Sequence, residues 1–194
     1  MFKLQVIIGS TRQGRFSEKS ARWISDLAAQ RAGIQTELVD LRDYPLPFFD
    51  EVMSLEYSKG QCANPLVQKW GAKVAEADAY IFTAAEYNHA CTAVLKNALD
   101  YAYFEWGNKP VSFVGHGGVG GARAVEQLRL IAVELQMAPI RYAVHIGLEP
   151  FVQIARKGAD FSSFEHLMQS ADKMLNQLTW WAKALKAARE QPLG

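Results

Sequence analysis

Three short segments hold most of the side chains that could do chemistry. The first, Gly9-Ser10-Thr11-Arg12-Gln13-Gly14-Arg15-Phe16-Ser17, carries three hydroxyls, two guanidinium groups and two glycines. Donors at this density suit a phosphate, which takes strong charge-assisted hydrogen bonds. Ser17 reads as an N-cap, with Glu18 in the first turn of a following helix. Free amides at a helix start, at the positive end of its dipole, would complete an anion site. A plain polar turn ahead of a capped helix is the alternative.

The second segment, Glu86-Tyr87-Asn88-His89, is a compact polar cluster after an apolar run. Tyr87 could lie along a face or edge of an aromatic ring system, with Asn88 and nearby amides at its polar edge. The plainer reading is a polar loop with a helix N-cap at Asn88 or Thr92. The third segment, Gly115-His116-Gly117-Gly118-Val119-Gly120-Gly121, has four glycines in its last five positions. Glycine permits positive φ and lets a ligand approach the backbone closely. Tight packing at a helix start is the alternative. His89 and His116 belong to the residue type that titrates near neutrality. With no third partner evident, neither is assigned acid–base catalysis. No nucleophile or triad is evident, so no catalytic side chain is assigned.

Two phosphate motifs are imitated but not met. Gly9-x-x-x-x-Gly14 opens like a P-loop, but Arg15 and Phe16 stand where Lys and Ser or Thr are required. Gly115 to Gly120 matches G-x-G-x-x-G, yet it follows the fourth strand rather than the first. No acidic residue closes a strand about twenty residues further on.

These loops need elements to position them. Leu4–Ile8 reads as a strand, and Ala21, Ile24, Leu27 and Ala28 recur at helical spacing. Thr36–Val39, Tyr80–Thr83, Val111–Val114 and Ile140–Ile146 supply four more strands. Leu66/Val67/Trp70/Val74, Val94/Leu95/Ala98/Leu99/Ala102 and Val125/Leu128/Ile131/Ala132/Leu135 mark the helices between them. A last helix carries Leu167, Ala171, Leu178, Ala182 and Leu185. Strands and helices in alternation imply an α/β protein: a parallel sheet covered by helices on both faces, in one domain spanning 1–194. In such sheets a ligand lies beyond the carboxyl ends of the strands, where the strand order reverses. All three segments fall at such ends. Residues 43–64, with Pro45 and Pro47, form the longest stretch without periodicity.

Composition narrows the classes. The chain has 194 residues, 49% apolar and 21% charged, with a net charge of +1. A balance this even provides no field for nucleic acid or an anionic membrane surface. The run from Leu4 to Ile8 is too short for a signal peptide or a membrane span. The expectation is a cytoplasmic protein with no nucleic-acid or membrane partner. Cys62 and Cys91 have no metal-ligand spacing and read as plain thiols, so no metal is expected.

The three segments in this order resemble the NADPH-dependent FMN reductase family of the flavodoxin-like fold, which includes quinone, azo-dye and chromate reductases. The matching residues are Gly9 to Arg12 with Arg15 and Ser17, then Glu86 to His89 running into Val94 to Ala98. Lys109-Pro110 leads to the third match, Gly117 to Ala124 with Gln127 to Arg129. The resemblance implies a three-layer sandwich with strand order 2-1-3-4-5 and FMN as cofactor. Ser10, Arg12 and Ser17 would hold its phosphate, with Thr11 and Arg15 lining the same loop. Glu86, Tyr87 and Asn88 would border the isoalloxazine, and His116, Gly117 and Gly118 its pyrimidine edge. Two positions depart from the family habit: Ala85 where Pro is frequent, and His116 where Ser or Tyr is frequent.

The chemistry so implied is hydride transfer from NADPH or NADH to flavin N5. A quinone, azo compound, free flavin or metal oxyanion then takes the electrons. The cofactor carries that chemistry, and the protein binds and orients it. An electron-carrier flavodoxin or a flavin-binding sensor is the alternative. Such carriers tend to be acidic for steering, which a charge of +1 does not match. The resemblance also implies a homodimer or homotetramer. Tyr101, Tyr103, Phe104, Trp106, Phe48 and Phe49 are candidates to cap the flavin or meet a neighbouring chain. Core packing is the alternative for each.

Overall fold

The computed structural model describes residues 1–191. Four full strands, β1 (Phe2–Ile8), β2 (Ile34–Asp40), β3 (Ala79–Ala85) and β4 (Pro110–His116), pair in parallel. The short β5 (Ala138–Pro139) and β6 (Val144–Ile146) share the fifth position, each parallel to β4. The order β2-β1-β3-β4-β5 is the flavodoxin-like one, and it reverses between β1 and β3. Apolar runs form these strands because the sheet is covered on both faces. β3 and β4 are buried at every position.

Helices α1 (Phe16–Ala29), α5 (Leu148–Lys157) and α6 (Glu165–Arg189) cover one face. Ile24, Ile154 and Leu175 pack there against Val6, Ile81 and Val114. Helices α2 (Pro65–Ala75), α3 (Ala93–Asp100) and α4 (Ala122–Glu134) cover the other. Trp70, Leu95 and Leu128 pack there against Ile7, Phe82 and Phe113. Among the described residues no helix is long and apolar enough to cross a membrane.

Four sequence expectations need correction. The fifth strand is broken rather than continuous from Ile140 to Ile146. Pro139 has no amide for a ladder, and the Ser112 hydroxyl donates to the Tyr142 carbonyl at 2.7 Å, while Arg129 takes the Ile140 carbonyl. Helix α5 went unforeseen although Leu148, Phe151, Val152 and Ala155 recur at helical spacing; it is only ten residues long and follows β6 after a single glycine. Ser17 is not an N-cap: α1 starts at Phe16 behind Arg15, and no side chain caps it. β4 does not stop at Val114 ahead of Gly115 but runs to His116, which pairs with Ala85 and Ile146. The histidine is therefore a strand residue. The aromatic cluster divides between the two readings. Tyr101 and Trp106 are core residues, while Phe48 and Phe104 stay exposed.

Candidate functional site

The β1–α1 loop is tied down before it can present anything. A Cβ at Gly9 would lie 2.2 Å from the Thr83 carbonyl oxygen, so only glycine lets β1 leave the sheet here. Thr83 Oγ1 accepts from the Gly9 amide at 3.0 Å, and the Thr92 hydroxyl donates to the Gly9 carbonyl. Arg42 donates to the Thr11 and Arg12 carbonyls at 3.2 and 2.7 Å.

Two arginines in this loop differ in kind. Arg15 turns inward with its side chain 3% exposed. It donates to the Ser10 carbonyl at 2.9 Å and pairs with both carboxylate oxygens of Asp40 and with Glu18. The Asp40 bond raises its pKa. Burial opposes ionisation of Asp40, but the Arg15 and Arg42 hydrogen bonds outweigh it and hold the carboxyl low. Arg15 thus lines the cavity with its charge already matched. The Arg12 guanidinium has no hydrogen-bond partner among the described residues, and it lines two cavities at once. Beside it are the uncapped amides of α1, the buried Ser10 and the Ser17 hydroxyl. A helix start without a side-chain cap leaves donors for a ligand.

The loop after β3 is a closed hairpin turn. Tyr87 and Ala90 exchange both backbone hydrogen bonds, at 2.9 and 3.0 Å. Asn88 and His89 between them have φ of 49° and 70°, the pattern of a type I′ turn. Both sit at the exposed tip and line neither cavity, whereas Tyr87, 39% exposed, lines both. The Glu86 carboxylate turns away, accepting from the Arg123 amide at 3.1 Å and pairing with its guanidinium. It thereby caps α4, whose own N-cap, Gly121, has no side chain. Burial works against the charge on Glu86, but Arg123 outweighs it and the pKa lies below the ordinary value. Arg123 also meets His89 Nε2 at 2.6 Å, fixing the turn.

The glycine-rich loop serves two purposes. Gly121 has φ of 70°, and a Cβ there would lie 2.5 Å from the His116 amide nitrogen. Its role is the tight α4 start. Gly117, at φ of 150°, lines the cavity, and Gly118 has open space around its Cα. His116 lies beneath the cavity, its ring parallel to Phe151 at 6.2 Å and tilted against Phe16 at 5.1 Å. Nε2 is 3.4 Å from Ser17 Oγ, and Nδ1 has no hydrogen-bond partner. Burial pulls its pKa down to about 4 against a weaker upward pull from the Val114 carbonyl. The ring is neutral at pH 7.

The cavity so formed, about 330 Å³, runs from the α1 start past Ala85, Glu86 and Tyr87 to Gly117. One end is rich in donors; the rest is backbone and aromatic edge. A second cavity of about 430 Å³ adjoins it through Ser10, Arg12 and Tyr87, and contains Thr11. Phe151 and Ala155 of α5 line the first cavity, and the helical spacing of Leu148, Phe151, Val152 and Ala155 was the signal that could have found them. Lys19 also lines it; a lysine in the first turn of a helix just after a phosphate-type loop was a legible cue. The Arg15–Asp40 pair could have been suspected from an acid closing β2.

Comparison with known proteins gives these features a context. Residues 2–149 match the family model described as NADPH-dependent FMN reductase. A Schizosaccharomyces pombe protein named NAD(P)H-dependent FMN reductase is 34% identical over 158 residues, covering 78% of this chain and 76% of its own. An Arabidopsis thaliana NADPH:quinone oxidoreductase is 32% identical over 142 residues, covering 71% of this chain and 69% of its own. Among solved structures, the flavoenzyme NAD(P)H:(acceptor) oxidoreductase FerB of Paracoccus denitrificans shares the fold. Its TM-score is 0.74 at 19% identity, over 95% of this chain and 98% of that one. The chain belongs to the NADPH-dependent FMN reductase family.

Proposed function

We propose that this member of the family holds FMN along the Ser10-to-Gly117 cavity and uses NADPH or NADH to reduce small-molecule acceptors of the quinone type. The observation that carries the reading is the uncapped start of α1, flanked by the unpaired Arg12 and by the Ser10 and Ser17 hydroxyls. The residues suit the group. A phosphate needs several convergent donors and a positive end, and both are present. A flat ring needs backbone at close range and an aromatic edge, which Ala85 to Tyr87 and Gly117 supply.

Bound FMN would supply the chemistry, taking electrons as a hydride from the nicotinamide and releasing them to the acceptor. The chain's own groups bind and orient. Arg12 neutralises phosphate charge, and the α1 amides and Ser17 direct it. An anion only accepts hydrogen bonds, so Ser17 gives it its single proton. A neutral His116 can then donate from Nε2 to the Ser17 oxygen, keeping the hydroxyl aimed. Arg15 shapes the loop through Asp40. Glu86 and the turn at Asn88 set the backbone at the ring by locking it to α4. Assembly into dimers or tetramers belongs to the same reading, supported by exposed Leu130 and Val133 on one face of α4.

The test is the visible spectrum of the protein reconstituted with FMN, before and after anaerobic NADPH or NADH. A retained flavin that bleaches rapidly is the expected result. A retained flavin that stays oxidised would leave a carrier or sensor. A protein that retains no flavin would remove the whole assignment.

A further inference from the structure

A third cavity, of about 490 Å³, runs along the side of α1 that faces α5 and the turn after it. Lys19, Trp23, Asp26 and Gln30 line it at i, i+4, i+7 and i+11, so they form one stripe on the helix. The floor between the walls is apolar. Ile154 is buried there, and Trp23 stacks on Phe161 with ring centroids 4.5 Å apart and planes 8° from parallel. The polar members of the stripe are not engaged. Lys19, Asp26 and Gln30 are exposed, and none makes a side-chain hydrogen bond or ion pair among the described residues. Arg22 differs, because Glu18 holds it at 2.8 Å.

This groove continues the cavity that suits the flavin. Lys19 lines both, and on the opposite wall Phe151 and Ala155 of the first give way to Ile154 and Gly158 of the second. The junction falls at the end where Arg12, Ser17 and the free α1 amides gather. A group carried on a phosphate held there, on the side away from the ring, therefore runs into the groove. The stripe also has an order. The cation comes first, the aromatic one turn on, and the carboxylate beyond it. Lys19 to Asp26 spans about 10 Å of helix axis, close to the reach of one nucleotide. A second phosphate suits the free ammonium, and a purine suits the ring of Trp23. The purine's amino group would donate to the Asp26 carboxylate, which is acceptor only. A nicotinamide dinucleotide matches this order less well, since its reactive ring must reach the other end of the first cavity, by Tyr87 and Gly117.

We propose that this groove binds the adenylate half of FAD, so that the flavin site takes the dinucleotide as well as FMN. The proposal rests on the reading that the flavin phosphate lies at the start of α1, and it extends that site along the helix.

Equilibrium dialysis of the flavin-free protein, read by flavin absorbance, gives the Kd of FMN and of FAD for wild type, Trp23→Leu and Asp26→Ala. Wild type is expected to bind FAD about tenfold more tightly than FMN, the gain from one stacked base. Trp23→Leu is expected to remove that advantage and leave the Kd of FMN at the wild-type value. Asp26→Ala, at an exposed position, is expected to raise the Kd of FAD alone by about fivefold, the loss of one hydrogen bond. FMN that binds tightly beside FAD that binds no better would overturn the proposal and leave the phosphate site standing. So would an FAD advantage that survives both substitutions. Should Trp23→Leu weaken both flavins through a packing fault, Asp26→Ala decides, and an unchanged ratio of the two Kd values in it overturns the proposal. Failure to bind either flavin would remove the phosphate reading itself, and the groove assignment with it.

Discussion

The two arginines of the β1–α1 loop separate binding from stability. Arg12→Ala is expected to weaken FMN binding tenfold or more, roughly one lost charge-assisted hydrogen bond, with urea unfolding of the apoprotein unchanged. Arg15→Ala is expected to cost about 3 kcal/mol, because it leaves Asp40 without its partner. The pH dependence of that cost has a definite sign. Asp40 ionises more readily in the folded protein than at its ordinary 3.8, so its stabilisation is present above that value. It disappears as pH falls through the folded pKa. The difference between wild type and Arg15→Ala should therefore shrink between pH 7 and about pH 3. A difference that holds constant would show that the pair is not its origin. His116→Phe keeps a ring between Phe16 and Phe151 but removes Nε2. About tenfold weaker FMN binding with unaltered riboflavin binding is expected, and His116→Gln should recover much of it. Equal losses for both flavins would make the histidine a packing residue only. At this scale the sequence was readable in residue type and silent on direction. Ser10, Arg12 and Ser17 gather as their donor density suggested. That Arg15 faces Asp40, and that Asn88 sits outside both cavities, depends on contacts between segments distant in sequence.

Elements were more legible than side chains, because hydrophobic period is a local property. All four full strands and five of the helices follow from apolar runs and helical spacing. The failures have physical reasons. β4 outlasts Gly115 because Ala84 and Ala85 continue the ladder beside it, a partner invisible from one strand alone. The α5 helix is only ten residues long, and Phe151, Ile154 and Ala155 seat it on a core built by segments distant in sequence. The glycines of the fourth loop looked alike in sequence and differ in task. Gly121→Ala must place a Cβ against the His116 backbone at positive φ and is expected to destabilise by about 3 kcal/mol, with flavin affinity falling alongside. Gly118→Ala meets nothing within 4 Å and should leave the unfolding midpoint within experimental scatter. Thermal unfolding of the two variants distinguishes a loop built for packing from one built for access. Equal destabilisation would contradict the division drawn between them.

For the whole molecule, sheet order decides where everything else can be. β1 and β3 are neighbours although α1, β2 and α2 separate them in the chain, so the loops after them open onto one crevice. The parallel sheet was readable from the alternation of strands and helices, and its order from the family resemblance; the partner surfaces were readable from neither. Leu130 is 68% exposed and Val133 62% exposed, one turn apart on α4. Two such residues on the face of a helix whose other side is in the core form an apolar patch that water would leave readily. A symmetric dimer would place each patch on its copy, since a two-fold interface is made of the same surface twice. Light scattering on the purified protein is expected to give a dimer or tetramer. Leu130→Glu combined with Val133→Glu should shift it toward monomer, because like charges would then face each other across the axis. Both changes lie on the exposed side of α4, away from Gly121 and the Glu86 cap, so flavin content should survive them. A wild type that elutes only as monomer would remove the dimer, and an oligomer indifferent to both charges would move the interface to another face.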